Sequence, residues 1–151
     1  MIKMKYAITI MVIGSFLIQY YLMSIIMTND RKNITNSLGK FYISSIMGLS
    51  MGILEVLMHD FSGGHVSFKY YIPLVILLII FLSFYRNQSW IDDKQYIEEM
   101  IEHHSMGLFT SDAILKKTSN YQVTRLAKNI IQKQKDEIYE MRRTLRHLQN
   151  K

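Results

Sequence analysis

Hydrophobic and polar positions divide this chain of 151 residues in two. Up to about residue 87 the apolar residues come in three long runs; beyond it they recur three and four apart. The first run, from about Tyr6 to Met27, has 22 residues and no charge, more than the roughly 20 that carry a helix across a bilayer. As a signal peptide it would have a shorter apolar core and a small-residue cleavage site. Ile25-Ile26-Met27-Thr28 is not one, so a retained anchor is expected. The second run, from about Phe41 to Met58, holds one acid, Glu55. The third, from about Tyr70 to Tyr85, is short but strongly apolar, with Tyr and Lys or Arg at its ends as interface anchors. Pro73 is expected in its first turn, where a missing N–H does little harm. Polar connectors run from Asn29 to Lys40 and from His59 to Lys69, the latter with the turn signal Gly63-Gly64.

Spacings of four mark stripes along these spans. Met11, Ser15, Gln19, Met23 and Met27 form one; Met47, Met51, Glu55 and His59 form another, with Met58 adjacent. Ser44, Gly48 and Gly52 make a separate small-residue row suited to close helix packing. The Met and polar stripes are expected on buried faces of the bundle, the alternative being a path for a soft cation. Glu55, a carboxylate inside a span, is expected to face a partner or cavity, or else to snorkel from its place one turn before the end of the span.

Past residue 88 the period becomes that of amphipathic helices. Ser89 with Asp92 fits a capping box, which starts a helix near Trp90. Asp92, Asp93, Glu98, Glu99 and Glu102 load its early turns and Lys116 and Lys117 close it, as the macrodipole favours. Its inner stripe reads Ile97, Met100, Ile101, His104, Leu108 and Leu115, with Gly107 in the middle. Ser119 with Gln122 makes a second capping box. The helix after it carries Val123, Leu126, Ala127, Ile130, Ile131, Gln134, Ile138, Met141, Leu145 and Leu148 on one stripe, of which only Gln134 is polar. The expected fold is all-α. Residues 1–87 form a membrane domain with spans near 6–27, 41–58 and 70–85. Residues 88–151 form a domain in which helices near 90–117 and 120–148 make an antiparallel two-helix hairpin. His104 should lie near the level of Gln134. Such a hairpin has a poorly shielded core, so it should pair with a second copy as a four-helix bundle or lie against the membrane part.

Charge and composition narrow the function. Residues 1–90 hold seven Lys or Arg against three Asp or Glu, and residues 91–151 eleven against nine. The tail's basic groups alternate with acids and the N-terminal ones flank apolar runs, so the excess does not argue for nucleic acid. Three spans put Lys3, Lys5 and Lys69 on one side and Arg31, Lys32, Lys40, Arg86 and Lys94 on the other, leaning toward a cytoplasmic tail without resolving its side. With no cysteine, disulfides, thiolate metal sites and cysteine nucleophiles are excluded.

The chemistry concentrates in Met100-Ile101-Glu102-His103-His104-Ser105-Met106. Met100, His103 and Met106 are three apart and His104 is four from Met100, so these side chains can converge on one side of a helix. Imidazole and thioether are ligands for soft or borderline metals; without thiolate, Cu(I) is the best match, and Cu(II) or Zn(II) could use the histidines. The competing reading is a hydrogen-bonded core histidine beside a solvated one.

The run Asp93…Tyr96…Met100-Ile101-Glu102-His103-His104-Ser105-Met106, followed by Leu126-Ala127…Ile130-Ile131…Gln134…Glu137-Ile138…Met141-Arg142, resembles the domain of unknown function 305 family. The resemblance covers about residues 90–148. It implies a ferritin-like helical fold, with copper bound in some members through Met and His. It implies Met100, His103, His104 and Met141 as ligand positions, supported by Gln134 and Glu137. Two departures stand out: the helical pair occurs once where many members carry it twice, and Glu102 stands where Pro is common.

The expected function is therefore a membrane-anchored metal-binding protein that binds or passes on copper. The alternative is a non-catalytic interaction protein whose hairpin dimerises and whose His pair is structural. The expected partners are the lipid bilayer and a second copy of the chain. No enzyme is expected. A ferritin-like oxidase wants Glu-x-x-His repeats, whereas Glu99 and His103 are four apart; a phosphorelay kinase would need a nucleotide-binding glycine motif, and none is present.

Overall fold

The computed structural model describes residues 3–63 and 66–149. Gly64, half of the expected glycine turn, lies outside the described residues. Five helices and no strand occur among those described: α1 (Met4–Met27), α2 (Leu38–Gly63), α3 (Phe68–Arg86), α4 (Asp93–Leu115) and α5 (Tyr121–Gln149). The first three are long and apolar enough to cross a membrane. The chain forms two compact units, one of residues 1–23 and 38–90, the other of residues 24–37 and 91–151.

In the first unit, α2 packs against both α1 and α3. Small residues let it do so. Ser44, Gly48 and Gly52 are all buried, and a Cβ at Gly48 would stand 2.7 Å from the Val12 carbonyl oxygen. At Gly52 it would meet Val12 Cγ2 at 2.6 Å. The small row is thus the buried face of α2, as close packing requires. The stripe beside it is divided: Met51 and Glu55 are half-buried, whereas Met47 and His59, and Met58 adjacent to them, are exposed. Val12 approaches Gly48 with its backbone carbonyl and Gly52 with its side chain, which leaves no room for a thioether at either position. On α1 the residues Met11, Ser15, Gln19, Met23 and Met27 are half-buried. One π turn, Ile18–Leu22, interrupts α1. Pro73 lies inside α3, one turn deeper than expected, because the helix starts at Phe68.

Both tail helices start later than the capping boxes suggest. Gln88 and Trp90 take positive φ values of 50° and 57°, so the chain turns before α4, and Asp92 caps it by accepting from the Gln95 N–H at 2.8 Å. Asn120 caps α5, its Oδ1 accepting from the N–H groups of Gln122 and Val123 at 2.9 and 3.2 Å. Asp and Asn side chains are efficient N-caps, and each displaces the serine upstream of it.

In the second unit α4 and α5 pack along each other around Ile97, Ile101, Leu108 and Ile138. Ile131, Met141, Leu145 and Leu148 close over that core. The stripe of α5 is covered only in part, since Leu126 is 60% exposed. Gly107 lies directly under the Gln134 carboxamide, which any Cβ there would strike. His104 meets Glu137. This register differs by about one turn from the expected level of His104 with Gln134, because α4 stops at Leu115 and α5 begins only after Asn120.

Candidate functional site

A helix repeat carries Met100 and His104 to one face of α4, one turn apart. On α5 the same repeat brings Glu137 and Met141 to one face. These four side chains line one open cleft in the second unit, together with Tyr96 and Glu140. Its donors are one imidazole, two thioethers and carboxylate oxygens.

His104 is the best-fixed of them. Its Nδ1 lies 2.7 Å from the Met100 carbonyl oxygen and its Nε2 lies 2.9 Å from Glu137 Oε2. A carbonyl only accepts, so Nδ1 carries a hydrogen. Nε2 then has two uses. Protonated, it donates to the Glu137 carboxylate as one half of an ion pair. Unprotonated and released by Glu137, it offers a lone pair to a metal, the ring already oriented through Nδ1. Glu137 is 54% exposed in its side chain, against 16% for His104, so the carboxylate is the partner free to move.

The other sequence positions divide. Met100, His104 and Met141 come together at the cleft, with Glu137 as the supporting group. His103 is exposed and lies outside the cleft lining, because a step of one residue turns a helical side chain about 100° away. Met106 is half-buried and also outside it. Gln134 points at Gly107, and its Oε1 is buried with no hydrogen-bond partner among the described residues. No three His, Asp or Glu side chains among the described residues converge as a metal-holding group.

On α4 a second polar group stands out that spacing did not reveal. Glu102 is 5% exposed. Its Oε1 accepts from Ser24 Oγ, and its Oε2 from the Thr35 N–H at 2.8 Å. Thr35 Oγ can donate to the same oxygen or to the Glu98 carbonyl. One turn on, Ser105 Oγ accepts from the Asn29 N–H and from Asn33 Nδ2 at 3.0 and 3.1 Å. Arg142 of α5 donates to Asn33 Oδ1. Residues 24–37 are thereby stitched to the tail helices. Glu102 and Ser105, three apart and so on one face of α4, were the available signal. Beside them, burial pushes the Glu99 carboxyl above its ordinary pKa; the charge of His103 opposes the shift and that of Glu102 adds to it.

Comparison with known proteins bears on this tail and on the whole chain. No solved structure matches. An uncharacterized protein of Acanthamoeba polyphaga mimivirus is 35% identical over 147 residues, covering 95% of this chain and 95% of its own length. Residues 92–151, which contain the cleft and Glu102, match the family model described as a domain of unknown function (DUF305). The chain belongs to the family of that domain, DUF305, and carries it behind three helices long and apolar enough to cross a membrane.

Proposed function

We propose that this is an integral, multi-pass membrane protein whose tail binds and hands on copper. The observation that carries the reading is the cleft shared by Met100, His104 and Met141. Two thioethers and an imidazole already oriented through Nδ1 suit Cu(I), which prefers soft ligands and few of them. Glu137 would leave Nε2 when the ion arrives, and the orphaned Gln134 Oε1 lies one helical turn before it. Copper is the cargo here, and the role is binding rather than catalysis.

The tail is proposed to be an antiparallel hairpin, half of a ferritin-like four-helix bundle that a second copy completes. The uncovered start of the α5 stripe, with Val123 38% and Leu126 60% exposed, supports this. His103, exposed on α4, is the remaining member of the ligand set, and a second copy would bring it or its equivalent to a shared site.

Competition between the full-length protein and a colorimetric Cu(I) chelator tests the reading. Changing His103 and His104 together to Ala should abolish copper retention. Met141→Leu should weaken it with little loss of fold, since the two side chains have similar volume. If wild type and the double histidine variant lose copper alike, the site is not in this cleft. One observation favours a second reading, in which the tail is a non-catalytic interaction module: both ring nitrogens of His104 already have partners. On that reading His104→Ala destabilises the tail and copper has no effect on its melting.

A further inference from the structure

Along the sequence of α5 the basic residues alternate with acids, but the helix sorts them. Arg125, Lys128, Lys135, Tyr139, Arg143 and Arg146 follow one another in steps of three, four and seven, and so share one face. All six are exposed. Gln132 fills the gap in the row, and its amide holds both carboxylate oxygens of the nearest acid, Asp136, at 3.0 Å. Glu137 and Glu140 lie round the helix at the cleft. Among the described residues none of the five cations has an ion pair or hydrogen bond. The row extends for about 30 Å at 1.5 Å per residue. Tyr139 within it is 69% exposed, and Tyr121, four residues before Arg125, is 75% exposed.

We infer that this face of α5 binds an anionic lipid surface. A solvated helix face is ordinarily mixed in sign, and its cations are partly neutralised by acids a turn away. A straight row of unpaired cations flanked by exposed tyrosines is complementary to a sheet of phosphate headgroups, where amphipathic rings settle readily. Such a surface is always at hand. Three apolar helices precede the tail, and only residues 87–92 separate α3 from α4. The short tether makes the encounter intramolecular, so modest attraction per charge is enough. The inference rests on the proposed membrane insertion and is independent of copper.

The full chain is reconstituted in nanodiscs of phosphatidylcholine alone or with phosphatidylserine. Co-elution with the discs reports insertion separately. Trp90, the sole tryptophan, is replaced by Phe, and Tyr139→Trp supplies the probe. At low salt its emission should shift to the blue and be quenched severalfold more by brominated acyl chains in the anionic discs. The difference should disappear near 1 M salt, where the Debye length is about 3 Å. Lys128→Gln, Lys135→Gln and Arg143→Gln together should remove it with helicity unchanged, while Arg143→Lys keeps it. Equal quenching in both kinds of disc by an inserted protein overturns the inference. So does a polyuridine oligonucleotide that binds this face while phosphatidylserine has no effect, which would assign the row to nucleic acid.

Discussion

A carboxylate as closed off from water as Glu102 persists because donors reach both of its oxygens. Ser24 and Thr35 supply them, 78 and 67 residues away in the chain. Glu102→Ala would take one acceptor from the Ser24 hydroxyl and one from the Thr35 N–H, at a cost of about 1–3 kcal/mol. Denaturant titration of the tail helices should register that loss, and Glu102→Gln, which keeps one acceptor, should lose clearly less. Equal loss in both variants would mean that packing, not hydrogen bonding, holds residues 24–37. Glu99 carries the opposite sign. Its folded-state pKa is raised, so the fold favours its protonated form. Its contribution is fully present below the ordinary carboxylate range and is lost as pH rises through the raised value. Glu99→Gln should therefore raise the melting temperature near neutral pH and leave it unchanged in acid; a gain of the same size at both would sink this account. That Met100 and His104 share one face of α4, and Glu137 and Met141 one face of α5, was legible from the local helical repeat. Nothing local shows that Glu102 reaches a connector so distant in sequence, or that His103 turns away while His104 turns in.

At the level of elements, the three apolar runs were legible from their length and near-absence of charge, and both tail helices from periodicity, since burial of one face is what the period encodes. The ends were harder. Ser89 and Asp92 are both good caps, and the choice depends on contacts outside the helix, among them the Tyr42 hydroxyl donating to the Ser89 carbonyl at 2.9 Å. The buried face of α2 was ambiguous for a related reason: a methionine stripe and a glycine row have the same period, and only the close approach of Val12 selects the glycines. Gly107 and Gln134 illustrate a further kind of pairing. Each departs from its own helix's pattern, a glycine in mid-helix and an amide on an apolar stripe, and they meet. Replacing a mid-helix glycine by alanine normally gains about 1 kcal/mol of helix propensity. Here the added methyl group would strike the carboxamide, but that group is the far end of a flexible side chain and can swing away at little cost. Gly107→Ala should accordingly keep most of the gain, and Gln134→Ala in the same chain should add little to it. Thermal melts of the two single variants and the double variant measure this directly; a destabilised Gly107→Ala that Gln134→Ala rescues would show that the amide is held in place.

For the whole molecule, the composition of the second unit constrains how the chain can cross a bilayer. That unit contains residues 24–37, the last turn of α1 and the connector after it, and residues 91–151, which follow α3. Glu102 and Ser105 bond directly to the first of these segments, so both must lie on the same side of any membrane. Between them the chain runs through α2 and α3, of 26 and 19 residues, each long enough for one crossing. Two crossings return the chain to the side it left, which agrees with the bonds. One crossing would not, and it would break the Glu102 network. If both helices cross a membrane, the end of α2 and the start of α3 lie on the opposite side. The absence of native cysteine makes the test clean. Single variants Arg31→Cys, Ser119→Cys and Ser62→Cys, all at exposed positions, are reacted with a membrane-impermeant maleimide in sealed vesicles. Cysteines at 31 and 119 should label from the same side, and the cysteine at 62 only from the other. Labelling of positions 62 and 119 from one side would mean that α3 does not cross. Labelling of 31 and 119 from opposite sides would be incompatible with residues 24–37 binding α4 at all, because donors and carboxylate would be separated by the thickness of the bilayer, about 30 Å of hydrocarbon.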